Sequence, residues 1–494
     1  MFGKSIRWMM TLLALAGIAW ILGTASAWAD VTNNATRPNF VVIQTDDSVL
    51  SEMPWMPQTD KLIGDAGETF NRYYVDNSIC SPSRASLLTG SYSHNNGVLT
   101  NRPSYAYNAF RASSDLTNNL PVWLQAAGYE TIHVGKYMNA YGSVSPTEYA
   151  PGWTFFNGIT GDEDANTYYN ATFNNNGVSE VIPEYATTYE TSQALNYLNS
   201  ADGPFYLELD YNAPHFDADG APGPTPAAQD AGRFPNVDAP RGPSYDLSSP
   251  DTPYFIRSLR PLNHHQEHWI NQGYRNSLRS LQEVDRGVSQ VIQTLEAKGV
   301  LDNTYVIFIS DNGFFYGQHR IVAGKYLGYE PSTHLPLLIR GPGIKPGSES
   351  NSLAENIDLA PTITDLAGVY PSIAPDGRSL APLFSKPDAF KNRAILLEGY
   401  TGDEKTVHWN PHSNNASVTD YYGVVAGPWK YIRTKLAPGQ SYQELYNLHT
   451  DPEETVNLAP SMPKLVARLN KLTNRLASCR GRSCHVQVKA TTLR

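Results

Sequence analysis

The chain has 494 residues, of which 41% are hydrophobic and 17% are charged, so it can bury a sizeable core and does not have the composition of a disordered chain. Its formal net charge of −10 at pH 7 excludes the strongly basic surface that binds nucleic acid or an anionic membrane. We therefore expect a globular protein with neither nucleic acid nor a membrane as a stable partner.

The N-terminus has the pattern of a secretory signal. Lys4 and Arg7 precede an uncharged apolar run over residues 8–23, and Ala-Trp-Ala at 27–29 forms an A-x-A cleavage site. An uncleaved membrane anchor is the alternative, since the uncharged run could just span a bilayer. We predict a signal peptide over residues 1–29, cleaved near residue 29, and a secreted or periplasmic protein.

Short apolar runs rich in β-branched residues predict strands that are buried on both faces. Residues 40–43 and 306–309 form two such runs, and YETIHVGK and FYLELDYNAPH contain two more. A stripe of apolar residues spaced by three and four predicts an amphipathic helix before the 306–309 strand, closed by Gly299: Leu281, Val284, Val288, Val291 and Leu295. The pattern predicts an α/β fold with a mostly parallel sheet sandwiched by helices.

Two stretches, residues 139–185 and 212–255, are rich in Asn, Tyr, Gly, Pro or Asp and read as long irregular insertions. After about residue 391, the short runs AILLEGY, DYYGVVAG, WKYIRTK and ELYNL predict a small antiparallel sheet, and Pro463 opens an amphipathic helix. We predict a catalytic domain over 30–390 and a smaller C-terminal α+β subdomain over 391–494.

The chain has three cysteines, and in an oxidising compartment Cys479 and Cys484 can form a small disulfide loop. Cys80, in SICSPSRASLLTG at 78–90, then has no evident partner. An odd cysteine in an exported protein indicates intermolecular pairing, a reactive thiol or chemical conversion, and the residues by themselves leave these three open.

Polar side chains end two of the predicted strands, with Asp46 and Asp47 after the first and Asp311 and Asn312 after the later one. Ligands of open α/β sheets bind at the carboxyl ends of the strands, and an all-oxygen set suits Ca²⁺ or Mg²⁺ rather than zinc. The alternative is that these residues only end strands and begin turns.

The stretch CSPSRASLLTG resembles the C-x-P-x-R…L-T-G signature of type I sulfatases, members of the alkaline phosphatase superfamily. PNFVVIQTDD, GKYMN, APH, SDNGFFYGQHR, LPLLIRGPG and ELYNLHTDPEETVNLA extend this resemblance over nearly the whole mature chain. The set is most similar to the branch of N-acetylglucosamine-6-sulfatases and arylsulfatases. The resemblance implies an alkaline phosphatase-like fold with a smaller C-terminal subdomain.

The resemblance also implies that Cys80 is oxidised to Cα-formylglycine by a formylglycine-generating enzyme during maturation. One hydroxyl of the hydrated aldehyde would attack the sulfur of a sulfate ester, and the second would expel sulfate. By the same resemblance the metal, Ca²⁺ or else Mg²⁺, has these ligands: Asp46, Asp47, residue 80, Asp311 and Asn312. Arg84 would support the hydrate and the carboxylates, Lys136 and Lys325 would bind sulfate oxygens, and His215 with Lys325 would lie at the leaving-group oxygen.

Some positions depart from the family pattern. Met138 replaces a histidine that assists sulfate release in the family. His94 is our candidate for the missing base, with substrate binding or a structural turn as the alternatives. Gln318 replaces an ionisable glutamate, and His319 lies either beside the site or in a structural position. His133 is expected in the core, and the histidines of LNHHQEH at a solvated helix start or a substrate rim: His264, His265 and His268.

The sequence thus predicts a secreted sulfatase that hydrolyses an aryl or carbohydrate sulfate, with a glucosamine-6-sulfate-type sugar suggested by the branch. A phosphonate monoester or phosphodiester hydrolase of the same superfamily is the enzymatic alternative. A sulfated-glycan-binding protein without activity is the alternative if Cys80 stays unmodified.

Overall fold

Strands alternate with helices over most of the chain, as the apolar runs predict. The computed structural model describes residues 37–161, 167–217, 221–401, 407–408, 417–436, 439–489 and 493, so the predicted signal peptide lies outside the described residues. The strands are β1 Asn39–Thr45, β2 Glu68–Phe70, β3 Tyr73–Tyr74, β4 Glu130–Lys136, β5 Phe155–Ile159, β6 Ala171–Asn175, β7 Val178–Ile182, β8 Phe205–Asp210, β9 Thr304–Ser310, β10 His334–Leu335, β11 Leu337–Arg340, β12 Ser348–Ser350, β13 Ala354–Glu355, β14 Ala394–Gly399, β15 Val407–His408, β16 Ser417–Val418, β17 Tyr421–Ala426, β18 Trp429–Lys435 and β19 Ser441–Asn447. The α-helices are α1 Pro57–Thr59, α2 Cys80–Thr89, α3 Ser93–Asn96, α4 Tyr107–Ala112, α5 Leu120–Ala126, α6 Ala186–Ser200, α7 Tyr254–Arg257, α8 His264–Ala297, α9 Glu330–Thr333, α10 Leu359–Ala367 and α11 Pro463–Leu476.

Five parallel strands, in the spatial order β9-β1-β8-β4-β5, form the middle of a ten-stranded mixed sheet. Strands β11, β2 and β12 extend one edge, and β6 and β7 extend the other. Alternate residues of β1 belong to different hydrophobic clusters, Phe40 and Val42 to one and Val41 and Ile43 to the other. Burial on both faces explains the continuous apolar run and confirms the predicted α/β architecture.

Helices cover both faces of this sheet. Helix α2 packs Ala85, Leu87 and Leu88 into the cluster that contains Phe40. Helix α8 packs the whole predicted apolar stripe into the opposite cluster. It begins at a reciprocal cap between Asn263 and Gln266, and its first-turn histidines are exposed, which confirms the solvated helix start predicted for LNHHQEH.

Residues 139–185 are not the irregular insertion that we predicted. They carry β5, which pairs in parallel with β4, and the antiparallel strands β6 and β7 at the sheet edge. Edge strands need no buried face on each side, so β7 lacks an apolar run and leaves Val178 and Val181 exposed. The described part of 212–255 is irregular, as predicted, apart from one 3-10 turn at Ala228–Asp230 and the start of α7.

The C-terminal part contains the predicted antiparallel sheet, with strand order β14-β17-β18-β19. Helix α11 packs on it through a cluster that joins Leu465 and Leu469 to Leu396 and Val424. Cys479 and Cys484 form the predicted disulfide, with an S–S distance of 2.03 Å. Residues Pro38–Arg494 form one compact unit, and the division near residue 390 stays a prediction. Among the described residues, every helix is too short or too polar to cross a bilayer.

Candidate active site

The acidic ends of β1 and β9 meet because these strands are parallel neighbours in register, with Thr45 opposite Ser310. Asp46, Asp47, Asp311 and Asn312 follow directly and are buried. Asp47 has a left-handed φ of 76°, and its N–H donates to Oδ1 of Asp311 over 3.3 Å. The structure therefore brings together the two strand ends that the sequence singled out.

Cys80 is the first residue of α2, follows Ile79 in extended conformation, and is fully buried. Its Sγ lies 3.5 Å from Oδ1 of Asp46 and 2.9 Å from Nζ of Lys325. Nζ of Lys136 lies 3.7 Å away on the other side. The odd cysteine therefore lies at the centre of the predicted site residues.

Lys136 pairs with Asp46, whereas Lys325 pairs with Asp47 and also lies 3.7 Å from Oδ1 of Asp46. Gly135 has a φ of 104°, and a Cβ at this position would lie 2.0 Å from the carbonyl oxygen of Asp210. Only glycine fits this approach, which explains why a glycine precedes Lys136 at the end of β4.

Arg84 lies on the buried side of the cluster and is 1% exposed. Its Nε donates to Oδ2 of Asp311 over 2.9 Å, and its Nη2 donates to Oδ2 of Asp46 over 3.4 Å. Nη1 donates to the carbonyl oxygen of Lys136 over 2.6 Å. One guanidinium thus fixes two carboxylates, which follow β1 and β9, and the backbone at the end of β4.

His215 follows β8 and joins the cluster from the side of Asp47, with Nε2 3.8 Å from Oδ2 of Asp47. Its Nδ1 lies 2.8 Å from the carbonyl oxygen of Phe216, so Nδ1 carries the proton and Nε2 keeps its lone pair. Burial, with the ammonium of Lys136, lowers the pKa of His215 to about 4, which keeps the imidazole neutral at pH 7.

Burial and charge act in opposite directions on the carboxyls. Burial favours the neutral form of Asp46, but the ammonium of Lys136 and the other cations outweigh it and hold the pKa well below its usual range. Burial, with the nearby charge of Asp46, raises the pKa of Asp311 to about 6. Burial opposes the charge of Lys136 and Lys325, but the carboxylates raise the pKa of both.

The donor set fits a hard cation. Oδ1 of Asn312 is buried and has no hydrogen-bond partner within the described ranges, whereas its Nδ2 donates to Asp47 and to the carbonyl oxygen of Gly313. An amide oxygen held without a donor beside three carboxylates is what Ca²⁺ or Mg²⁺ coordinates. Asp46, Asp47, Cys80 and His215 also each offer an atom within 4.8 Å of the others.

His94 does not have the geometry of the base that we predicted. Its Nδ1 lies 2.9 Å from a carboxylate oxygen of Glu398, and its Nε2 lies 3.0 Å from the carbonyl oxygen of Cys479. Both partners only accept hydrogen bonds, so the ring carries two protons and has no lone pair. Burial opposes this charge, but Glu398 raises the pKa of His94 to about 9.

The other departures lie outside the cluster. His133 is fully buried among aromatic rings, as predicted for a core residue. Met138 is buried in the hydrophobic cluster that contains Phe40. His319 stacks on Tyr329 with ring centroids 4.6 Å apart, which favours the structural alternative, and Gln318 accepts from the backbone N–H of Tyr316.

Asp210 is a residue that our sequence reasoning missed. It ends β8, and its Oδ2 lies 3.6 Å from Nη1 of Arg84. The signal was present, because Asp210 ends an apolar strand in FYLELD just as Asp46 follows one in PNFVVIQTD. The expectation that polar residues at the carboxyl ends of parallel strands lie near the site, which we used for β1 and β9, therefore also holds for β8.

Comparisons with known proteins identify the family of this chain. The Sulfatase family matches residues 38–369, and the family "N-sulphoglucosamine sulphohydrolase, C-terminal" matches residues 317–481. The chain is 31% identical to the N-acetylglucosamine-6-sulfatase of Homo sapiens, over 96% of this chain and 89% of that protein. It is also 31% identical to the arylsulfatase of Chlamydomonas reinhardtii, over 96% of this chain and 79% of that protein.

Solved structures share the fold. A protein in complex with its substrate, D-glucosamine-2-N,6-O-disulfate, is 25% identical, with a TM-score of 0.73 over 89% of this chain and 97% of that one. A phosphonate monoester hydrolase from Silicibacter pomeroyi is 22% identical, with a TM-score of 0.65 over 91% and 96%. The chain therefore belongs to the sulfatase family, in the branch of N-acetylglucosamine-6-sulfatases and arylsulfatases, and is a sulfuric ester hydrolase.

Proposed function

We propose that this sulfatase is exported and hydrolyses a carbohydrate sulfate ester of the glucosamine-6-sulfate type, using a formylglycine formed from Cys80 and a divalent cation. The observation that carries the proposal is the position of Cys80, whose Sγ lies within 3.7 Å of Asp46, Lys136 and Lys325 at the start of a helix. A nucleophile at this position faces both an acidic cation site and two ammonium groups.

The surroundings of Cys80 disfavour an unmodified thiol as the nucleophile. Burial, with the charge of Asp46, raises the pKa of the thiol to about 11, so it is protonated at pH 7. A formylglycine at this position would supply a hydrated aldehyde, with one hydroxyl to attack sulfur and another to expel sulfate. A formylglycine-generating enzyme is the partner that the proposal requires during maturation.

We infer that Asp46, Asp47, Asp311, Asn312 and the oxygen at position 80 hold Ca²⁺, with Mg²⁺ as the alternative. The bound ion supplies a Lewis acid that polarises a sulfuryl oxygen and lowers the pKa of the attacking hydroxyl. Arg84 holds the Oδ2 atoms of Asp46 and Asp311 in place. This leaves the other oxygens of the cluster for coordination.

Lys136 and Lys325 are protonated at neutral pH and act as cations for the sulfate oxygens. Lys325 also lies on the Asp47 side with His215, where the leaving group would depart. We propose that Lys325 donates a proton to that oxygen. His215 holds Nε2 without a proton at neutral pH, and this atom takes up the proton that the second hydroxyl of residue 80 loses as sulfate is expelled. Met138 and His94 cannot fill this role.

The names of relatives support the substrate class and export. The human relative is an N-acetylglucosamine-6-sulfatase, and the similar solved complex holds a 6-O-sulfated glucosamine. A relative in Drosophila melanogaster, 34% identical over 73% of this chain and 32% of that protein, is named an extracellular sulfatase. The signal pattern of residues 1–29 agrees with export.

The test combines mass spectrometry with turnover of the exported protein. We expect the tryptic peptide of residues 73–84 to carry an aldehyde in place of the thiol. We expect release of sulfate from glucosamine-6-sulfate and from an aryl sulfate. Cys80→Ala should abolish turnover, whereas Ser81→Ala is the matched control, because it keeps the C-x-P-x-R spacing and Ser81 bonds to Asn139 rather than to the cluster.

Two results would contradict the proposal. An unmodified cysteine in fully active protein would exclude formylglycine as the nucleophile. Faster turnover of an aryl phosphodiester than of any sulfate ester would instead favour the phosphonate monoester or phosphodiester hydrolase, whose fold this chain shares.

A further inference from the structure

We propose that Asp210 is a positioning residue of the active site, which holds the guanidinium of Arg84 in place. Arg84 can then orient Asp46 and Asp311 without competing with the cation for their remaining oxygens. The inference rests on the proposed cation site. It assigns a role to a residue whose side chain contacts Gln44, Arg84, His133 and Glu208.

The register of the sheet places Asp210 directly under the site. Strand β8 lies between β1 and β4, and Asp210 is opposite Gln44 on one side and Gly135 on the other. Gln44 is two residues before Asp46, and Gly135 is one residue before Lys136. Asp210 is therefore level with Gln44 and Gly135, which come just before the residues that we place at the cation and the sulfate.

Arg84 has three carboxylate neighbours, and Asp210 is the one that we do not assign to the cation. Its Oδ2 lies 3.6 Å from Nη1 of Arg84, against 2.9 Å from Nε to Asp311 and 3.4 Å from Nη2 to Asp46. A fully buried guanidinium attracts every carboxylate in reach. Without the charge of Asp210, Arg84 would hold Asp46 and Asp311 more tightly, and a cation would compete less well for them.

Asp210 is itself oriented from below. Nε2 of Gln44 donates to its Oδ1 over 2.9 Å, which leaves Oδ2 for Arg84. A side-chain hydrogen bond links Asp210 to Glu208, and Glu208 accepts from the hydroxyl of Tyr206 over 2.7 Å. Burial raises the pKa of both carboxyls, and the neighbouring charge of Glu208 raises that of Asp210 further, whereas Arg84 lowers both. The pair therefore holds one proton. Nη1 of Arg84 and Nδ1 of His133 each lie 3.6 Å from Oδ2 of Asp210, and on this geometry we place the charge on Asp210 and the proton on Glu208.

The experiment measures Ca²⁺ binding to the mature protein by titration calorimetry after chelation, with Ca²⁺ as the only ligand. Asp210→Asn keeps the shape but removes the charge, and we expect its Kd for Ca²⁺ to rise by roughly 10- to 100-fold. Glu208→Gln is the matched control, because it removes an equally buried carboxyl and keeps a hydrogen-bonding partner for Asp210. We expect its Kd to stay within about twofold of the wild type.

Kinetics separate positioning from a purely structural role. Asp210 does not reach the substrate, so the KM of Asp210→Asn for an aryl sulfate at saturating Ca²⁺ should stay within about twofold of the wild-type value. Its kcat should fall at low Ca²⁺ and recover at high Ca²⁺. If Asp210→Asn does not fold, Gln44→Met provides a second test. It frees the rotamer of Asp210 but keeps the charge, and should raise the Kd by roughly threefold.

The outcomes distinguish the inference from the proposed function. Equal Ca²⁺ affinity of the wild type and Asp210→Asn would overturn the positioning role and leave the cation site standing. Equal losses in Asp210→Asn and Glu208→Gln would also overturn it, because they would reflect buried carboxyls in general. No Ca²⁺ or Mg²⁺ binding by the wild type would overturn the cation site and the inference together.

Discussion

The contact between His94 and Glu398 should stabilise the protein in a pH-dependent way. His94 lies in α3, directly after the helix of Cys80, and Glu398 lies in β14 of the C-terminal sheet. The imidazolium donates from both nitrogens, to Glu398 and to the carbonyl oxygen beside the disulfide, over 2.9 and 3.0 Å. We therefore predict that His94→Gln loosens the attachment of the C-terminal part to this segment.

The size of the effect follows from the pKa of His94. Burial opposes the charge, but Glu398 raises the pKa from 6.5 to about 9, and the side chain is 14% exposed. A shift of this size corresponds to about 3 kcal/mol of unfolding free energy. Because the folded pKa is raised, this stability is fully present below pH 6.5 and is lost as the pH rises through 9.

The assay is urea unfolding of the wild type and His94→Gln at fixed Ca²⁺, at pH 6 and pH 9.5. The wild type should be more stable than His94→Gln at pH 6, and we expect this difference in unfolding free energy to be smaller by about 3 kcal/mol at pH 9.5. Asn95→Ala is a useful comparison, because Asn95 donates to the same carbonyl oxygen but does not titrate. A difference between the wild type and His94→Gln that stays constant across this range would refute the reasoning.

A pair of glycine substitutions tests the packing beneath the site. Gly135→Ala should lower the free energy of unfolding by about 3 kcal/mol or more, because the new Cβ would clash with the backbone of Asp210. It should also lower kcat by about 100-fold or more. Gly128 is the control, because its φ is 87° and the space around its Cβ position is open, so Gly128→Ala should lower the free energy of unfolding by only about 1 kcal/mol. Equal losses of stability in the two variants would contradict the steric argument.

The sequence predicted the parts of the site that depend on local order along the chain. Strands buried on both faces carry continuous apolar runs, so the ends of β1 and β9 and their acidic residues could be read directly. The C-x-P-x-R…L-T-G motif located Cys80, and the structure brings it beside those ends. In contrast, the edge strand β7 has exposed and half-buried side chains, and β6 buries polar as well as apolar residues, so neither has a continuous apolar run.

Long-range polar partners could not be read from the sequence. His94 looked like a base because it closely follows the Cys80 motif, but its partners are 304 and 385 residues away. Asp210 ends a strand that the sequence does show, but its contact with Arg84 of α2 joins two distant parts of the chain and has no motif. Single-chain patterns predict which residues end strands, and they do not specify which buried charges share a partner.

The two lysines should differ in how their loss depends on the leaving group. Lys325 lies 3.7 Å from Asp46 but pairs most closely with Asp47, on the side of His215 where we place the departing oxygen, whereas Lys136 pairs with Asp46. A nitrophenolate leaves as a stable anion and needs little protonation, whereas a sugar alkoxide needs a proton as it leaves. Lys325→Met should therefore lower kcat on a sugar sulfate by roughly 1,000-fold or more but on nitrophenyl sulfate by only about 10- to 50-fold. Lys136→Met should lower both by a similar factor of about 100, because it acts on the sulfate oxygens that both substrates share. Parallel losses for Lys325→Met on the two substrates, at equal formylglycine content and saturating Ca²⁺, would exclude Lys325 as the proton donor.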